Sequence, residues 1–180
     1  MKAVIMVGGE GKRMGYRVKS LLKKDGKTLL EYIIEILRGK GVDEIILNVA
    51  NKKDFDKFNF KKVRTLEELD IKEDYLLLVG DSIIDFDLEE IKKKGGEIVA
   101  LTQEFEIPYG VIEEGIFKEK PKKEICIGVF LIRGKKIVGN SIPLMMKKYQ
   151  FSTCIHNEEF VHLTTKEDYH KWVNLKEEIK

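Results

Sequence analysis

Apolar and polar positions alternate between two periodicities along this chain. Lys2–Val7 is almost continuously apolar, as a strand covered on both faces requires. Leu29, Leu30, Ile33, Ile34 and Leu37 then recur at helical spacing, with Thr28 as N-cap and Gly39 and Gly41 as the stop. Glu44–Val49 reads as the next strand and Asp54–Phe58 as a short helix. Tyr75–Val79 is a third buried strand. Asp87–Lys94 has helical spacing, with Asp87 as its N-cap and Gly95-Gly96 as its end. Glu97–Leu101 is a fourth strand, and Gly110–Lys118 and Ile125–Ile132 are β segments. Ser141–Tyr149 reads as a helix. Thr165 opens a last one, with Asp168 three residues on at a capping-box position.

Strands that alternate with helices, and that are apolar on both sides, predict a mainly parallel mixed sheet with helices on both faces. The expected class is α/β, a Rossmann-like three-layer sandwich. With 180 residues and no internal repeat or linker, the chain reads as one domain, 1–180. In open sheets of this kind ligands sit at the carboxyl ends of the strands.

Charge narrows the partners. The chain has 33 basic and 31 acidic residues, interspersed, so no polyanion surface is indicated and nucleic acid is not an expected partner. The short apolar run at the N-terminus is followed at once by glycines and charges, so it is a strand and not a signal or membrane segment. Cys126 and Cys154 stand far apart in apolar or mixed surroundings, as reduced thiols of a cytoplasmic protein do. Charged residues make up 36% of the chain, mostly Lys and Glu, a composition seen in proteins from hot environments.

The chemistry is concentrated just after the first strand. Gly8-Gly9-Glu10-Gly11-Lys12-Arg13-Met14-Gly15 combines a glycine-rich backbone with cations, and Arg17 and Lys19 follow. Glycines let a loop approach a ligand with no Cβ in the way, and converging amides can cradle phosphate oxygens. Arg13 offers a planar fork for phosphate and Lys19 a point charge. No Gly-Lys-Ser/Thr closes the loop, so it is not a P-loop, and the third glycine is misplaced for the Rossmann fingerprint. A second feature is Val79-Gly80-Asp81, which ends the third strand. Gly80 removes the side chain that would crowd a phosphate, and Asp81 is a carboxylate suited to Mg²⁺. Asp85 reads as a turn residue.

The loop resembles the opening of the nucleotidyltransferase family with a GT-A-like fold, Gly-Gly-x-Gly-x-Arg-Met/Leu, a spacer, Pro-Lys-x-Leu-Leu and x-x-Gly-Lys-x-x-Leu. Here the continuation is Val18-Lys19-Ser20-Leu21-Leu22 and Asp25-Gly26-Lys27-Thr28-Leu29-Leu30, with Val18 where proline is usual. The resemblance implies the nucleotide-diphospho-sugar transferase type of sandwich, in a short form without a C-terminal β-helix. It implies that Gly8, Gly9, Gly11, Lys12 and Gly80 bind the nucleotide, that Arg13, Lys19 and Asp81 are catalytic, and that Asp81 holds Mg²⁺.

Two later segments extend the likeness. Tyr109-Gly110-Val111-Ile112-Glu113 with Phe117-Lys118-Glu119-Lys120-Pro121 resembles a segment of the sugar-1-phosphate branch. It implies that Gly110 admits the sugar, Glu119 takes its hydroxyls and Lys120 meets its phosphate. Ile125-Cys126-Ile127-Gly128 resembles that branch's Asn-x-Gly strand, with Cys126 for asparagine and Gly128 at the substrate. Phe160-Val161-His162-Leu163-Thr164-Thr165 resembles the segment that carries a second metal aspartate, replaced here by His162. His162 reads as a substituted metal ligand, a phosphate contact or a packed histidine. Between Val63 and Tyr75 the usual Gly-Thr-Ala-like nucleotide loop is missing.

The expectation is therefore transfer of a nucleotidyl group from an NTP to a sugar 1-phosphate, forming a nucleotide-sugar and releasing pyrophosphate. The alternatives are a weak or inactive relative that binds nucleotide in a regulatory or assembly role, and an enzyme with a non-sugar phosphate acceptor. A homo-oligomer is compatible with either, and the sequence does not identify the base.

Overall fold

The computed structural model describes residues 1–9, 11–15, 18–137 and 142–174, with the backbone alone for Lys12, Lys52, Leu144 and Met146. Its strands are β1 (Lys2–Met6), β2 (Lys23–Lys24), β3 (Lys27–Thr28), β4 (Glu44–Asn48), β5 (Lys61–Val63), β6 (Tyr75–Val79), β7 (Ser82–Ile83), β8 (Ile98–Glu106), β9 (Val111–Glu113), β10 (Ile116–Lys118), β11 (Lys122–Ile132), β12 (Ser152–Ile155) and β13 (Val161–His162). The helices are α1 (Leu29–Gly39), α2 (Leu88–Lys93), α3 (Ile142–Lys148) and α4 (Lys166–Asn174).

Seven strands form the central sheet in the order β12-β8-β11-β6-β1-β4-β5. Four of its pairings are parallel, and β11 runs antiparallel to both β6 and β8. β1 lies in the middle, with Val4 beside Ile46 and Leu77 and Ile5 beside Leu47 and Leu78. Because successive side chains point to opposite faces, these continuous apolar strands feed two cores. One gathers Ala3, Ile5, Leu47 and Leu76 under Leu30, Ile33 and Leu37 of α1, Ile91 of α2 and Trp172 of α4. The other gathers Val4, Ile46, Leu77 and Phe130 against Leu66, Leu69, Ile71 and Met145 of α3. The sandwich is three-layered and the sheet mixed and mainly parallel, as expected.

The predicted caps form. Thr28 Oγ1 accepts from the Glu31 amide at 3.2 Å, and the Glu31 carboxylate takes the Thr28 amide at 2.6 Å. The Thr28 hydroxyl and amide, both donating to it, hold the Glu31 carboxyl below its ordinary range. Asp87 caps α2 through the Glu89 and Glu90 amides. Asp168 accepts from the Thr164 and Thr165 amides, while its own amide donates to Thr165 Oγ1.

Other expectations need correction. The segment at 54–58 is not a helix; a 3-10 turn covers Lys52–Phe55 instead. The β structure expected at Gly110–Lys118 is present as a hairpin, because Glu114 and Gly115 both take positive φ and reverse the chain. β8 runs on to Glu106, and β11 starts at Lys122, so the two form a long antiparallel ribbon. β5 and β12 were not foreseen. The predicted start of a helix at Ser141 lies outside the described residues; α3 begins at Ile142. Among the described residues no helix is long and apolar enough to cross a membrane.

Candidate functional site

A cleft of about 680 Å³ opens at the carboxyl ends of the strands. Its floor is built by segments that leave β1, β4, β5 and β6 and by the start of α3. Gly8, Gly9, Gly11, Arg13 and Lys19 line it from the first loop, and Gly80 and Asp81 from the end of β6. These seven predicted residues, separated by up to 73 positions in the chain, share one cavity because β1 and β6 are neighbours in the sheet.

Local structure explains how the loop is held. Met14 is buried and anchors the far side of the glycine turn in the first core. The Met14 amide donates to the Gly11 carbonyl at 2.8 Å, and Gly11 takes a φ of +60° that favours glycine. Arg13, next to this anchor, is exposed at the cleft. The Lys12 side chain and Arg17 lie outside the described residues.

Gly80 has a steric reason. A Cβ there would meet Val7 Cγ1 at 2.6 Å and the Met6 carbonyl oxygen at 2.9 Å. The Gly80 amide donates to that same oxygen at 2.9 Å, so the backbone cannot retreat without losing a hydrogen bond. Gly80→Ala should therefore destabilise the fold by about 1–3 kcal/mol, the usual cost of overpacking, with chemical denaturation as the measurement. Wild-type stability would show that Gly80 is dispensable to packing.

Asp81 sits in a small polar cluster. Lys19 Nζ is 3.0 Å from Asp81 Oδ2, and both side chains are partly exposed. His162 Nδ1 is 3.9 Å from Asp81 Oδ1 and 2.6 Å from Ser82 Oγ. The backbone fixes this arrangement, since β13 pairs with β7 and the Leu163 amide donates to the Asp81 carbonyl at 2.9 Å. His162 is about half exposed, so the packed-histidine reading is not borne out; it stands beside Asp81 with its ring open to solvent.

The donor set fits a hard divalent cation that is shared with a ligand. No group of three or more His, Cys, Asp or Glu side chains gathers among the described residues. One carboxylate at a cleft of this size suits a divalent cation that takes few protein ligands and completes its shell from phosphates and water.

Three cleft residues were missed by sequence reasoning. Ser20 and Asn48 are almost fully buried, and Ser20 Oγ and Asn48 Nδ2 have no hydrogen-bond partner. Both line the cleft. Buried polar atoms are paired in the great majority of cases, so these two stand out beside the cleft. Arg64 also lines the cleft, at the end of β5. It stands where the nucleotide loop was missed, and the residues after it form a 3-10 turn, Leu66–Glu68, with Leu66 buried in the second core. Only an unremarkable Asn at a strand end signalled Asn48.

The expected acceptor residues are placed differently. Among the described residues none between 101 and 132 lines the cleft. Gly110 lies under the Phe117 ring, Lys120 has a φ of +44°, and Glu119 is exposed. Gly128 occupies an irregularity in β11 with a φ of +88°, where a Cβ would approach Val79 Cγ2 to 2.3 Å. A packing constraint thus accounts for that glycine. Asp85 pairs with Lys40 on the surface. Burial pushes the Cys126 thiol up, which suits an inert thiol.

Comparison with known proteins points the same way. Residues 3–76 match the MobA-like NTP transferase domain. The chain is 26% identical to a D-glycero-alpha-D-manno-heptose 1-phosphate guanylyltransferase of Campylobacter jejuni, over 96% of this chain and 99% of that protein. It is 49% identical to a probable molybdenum cofactor guanylyltransferase of Methanosarcina acetivorans over a shorter stretch, 27% of this chain and 21% of that one. In fold it is similar to HddC from Yersinia pseudotuberculosis complexed with GMP-PN, with a TM-score of 0.70, 18% identity and coverage of 96% and 97% of the two chains.

Proposed function

We propose that this chain is a nucleotidyltransferase that transfers a nucleotidyl group from a nucleoside triphosphate to a sugar 1-phosphate. The observation that carries the reading is the convergence of Arg13, Lys19 and Asp81 on one cleft beside a glycine loop. A protein that only held a nucleotide has less need of all three.

In the reaction a sugar phosphate oxygen bonds to the α-phosphorus, the α–β anhydride bond breaks, and pyrophosphate leaves with the electron pair. The attacking group is already an anion at neutral pH, so no general base is required. Catalysis is then alignment and charge neutralisation. The amides around Gly8, Gly9 and Gly11 cradle the phosphates. Arg13 takes up the charge that develops on pyrophosphate. Lys19 leaves Asp81 for the reacting phosphates, and Asp81, thereby freed, is the residue that would hold Mg²⁺. When bound, that ion neutralises the α-phosphate. His162, half exposed beside Asp81, is placed to contact the acceptor phosphate or the same ion.

We favour GTP as donor. Asn48 and Arg64 both line the cleft, Arg64 with its guanidinium and Asn48 with an unpaired amide nitrogen just beneath the surface, and guanine offers O6 and N7 as adjacent acceptors. Adenine would set its own amino group against them. The whole-length relative from Campylobacter is named as a heptose 1-phosphate guanylyltransferase, which makes heptose and hexose 1-phosphates the first acceptors to try.

The test is pyrophosphate release from the four NTPs and dTTP against a panel of sugar 1-phosphates, with Mg²⁺ and with Mn²⁺. GTP with one sugar 1-phosphate should dominate, and Asn48→Ala should raise the KM for GTP about 10-fold, the scale of one lost hydrogen bond. No turnover with any pair, despite tight nucleotide binding, would favour the non-catalytic reading. Turnover only with a phosphorylated non-sugar acceptor would correct the substrate class.

A further inference from the structure

Ser82 and His162 meet beside Asp81. β7 and β13 place them directly opposite each other, so their side chains share one face of the two-stranded ribbon. Ser82 Oγ lies 2.6 Å from His162 Nδ1. Ser82 is almost fully buried, whereas the His162 side chain is 47% exposed. The serine is thus the fixed partner, and the ring is the one that reaches out.

The surroundings of the hydroxyl decide which atom donates. Away from the ring, Ser82 borders a void of about 10 Å³ that it shares with Ile33, Leu37, Ile84 and Val129. Such a space is at the lower limit for one water, and apolar walls give a water too few partners. Among the described residues Ser82 Oγ has no hydrogen-bond partner besides Nδ1. A buried O–H left unpaired is costly, so the hydroxyl donates and Nδ1 accepts. In the neutral ring the proton then sits on Nε2. Were Nδ1 to carry the proton, Ser82 would accept from it and leave its own O–H without a partner. Asp81 Oδ1 does not alter this, because at 3.9 Å from Nδ1 it is out of hydrogen-bond range. Nε2, with no partner among the described residues, therefore offers an N–H and no lone pair.

We propose that Ser82 is a positioning residue, which holds His162 as an Nε2–H donor to a phosphate oxygen of the substrates and keeps the ring out of the shell of a divalent cation. The ring stands beside Asp81, and Asp81 lines the cleft where the phosphates of the proposed transfer reaction would lie. The role rests on that reaction for the identity of the phosphate, but not for the state of the ring. The position that resembles a second metal aspartate turns to phosphate instead.

Two measurements on the full chain test this. The first is a long-range ¹H–¹⁵N spectrum of the ring nitrogens at about pH 8, above the ordinary range of imidazole, with His162 assigned by the signals lost in His162→Gln. The wild type should show a proton on Nε2 and none on Nδ1, and Ser82→Ala should mix the two tautomers. A proton on Nδ1 in the wild type would overturn the proposal, and so would a spectrum that Ser82→Ala leaves unchanged. The second is calorimetric titration with GTP, with a hexose 1-phosphate and with Mn²⁺, each alone. Ser82→Ala should weaken one of the two phosphate ligands about 5-fold, which tells whether nucleotide or acceptor meets the ring, and leave Mn²⁺ within about 2-fold. His162→Gln, which keeps an N–H near the place of Nε2, should bind that ligand within about 2-fold of the wild type, and His162→Asp about 10-fold or more weakly. Tighter Mn²⁺ in His162→Asp with unchanged phosphate binding, or weaker Mn²⁺ in Ser82→Ala, would make the ring a metal ligand and overturn the proposal. Phosphate binding indifferent to both Ser82→Ala and His162→Asp would overturn it too. Absence of turnover with every substrate pair, while the expected spectra and affinities hold, would strike the transfer reaction and leave the role of the ring in place.

Discussion

Asp81→Asn is expected to lower kcat for pyrophosphate release by on the order of 10³ or more. Asp81 ends β6 behind a glycine that no larger residue can replace without collision. It is the carboxylate among the residues that line the cleft. The amide has the same size but no charge, so it removes the hold on a divalent cation while preserving shape. From sequence one would expect the variant to leave the thermal midpoint of the free protein unchanged or raised, since an unpaired anion is deleted. The structure corrects this, because Asp81 is paired with Lys19 at 3.0 Å. Both groups are partly exposed, so breaking the pair should cost about 0–1 kcal/mol. Thermal melts should thus show a small loss and metal titration of activity a large one. Near-normal turnover in Mg²⁺ would remove Asp81 from the mechanism, and an unfolded variant would make it a structural residue.

Arg13→Ala is expected to lower kcat by about 10²–10³, the scale for losing one preorganised charge-stabilising group. Negative charge grows on the departing pyrophosphate, so the guanidinium is worth more in the transition state than in the bound complex. The side chain is exposed at the cleft while its neighbour Met14 is buried, so the fold should not suffer. Arg13→Lys keeps the charge and loses the planar fork, and should fall between the two. A variant with normal kcat and only a raised KM would make Arg13 a docking residue.

How much of this was legible without coordinates differs from element to element. β1, β4, β6 and α1 announce themselves, because a strand buried on both faces must be continuously apolar and a helix on a sheet must carry one apolar stripe. The caps at Thr28, Asp87 and Asp168 were readable for the same local reason: a side-chain oxygen three residues from a free amide has a short path to it. β5 and β12 were not, since strands of three or four residues at the sheet's edges carry too few apolar positions to show a period. The hairpin turn at Glu114-Gly115 was masked by the apolar residues on both sides of it.

The site divides along the same line. The loop of Gly8, Gly9, Gly11 and Arg13, with Lys19, and the pair Gly80-Asp81 could be picked out from sequence alone, because glycines and cations at close spacing are local features, and all of them line one cleft. Only tertiary structure decided the rest. Parallel pairing of β1 with β6 brought Lys19 within 3.0 Å of Asp81, and β13 set His162 beside them. It buried Asn48 and Ser20 with unsatisfied polar atoms at the cleft, a state no composition reveals. It also replaced the expected nucleotide loop by Arg64 and a packed turn. Burial, orphaned hydrogen-bonding groups and free surface depend on what the distant parts of the chain do, and that is settled only when the sheet has closed.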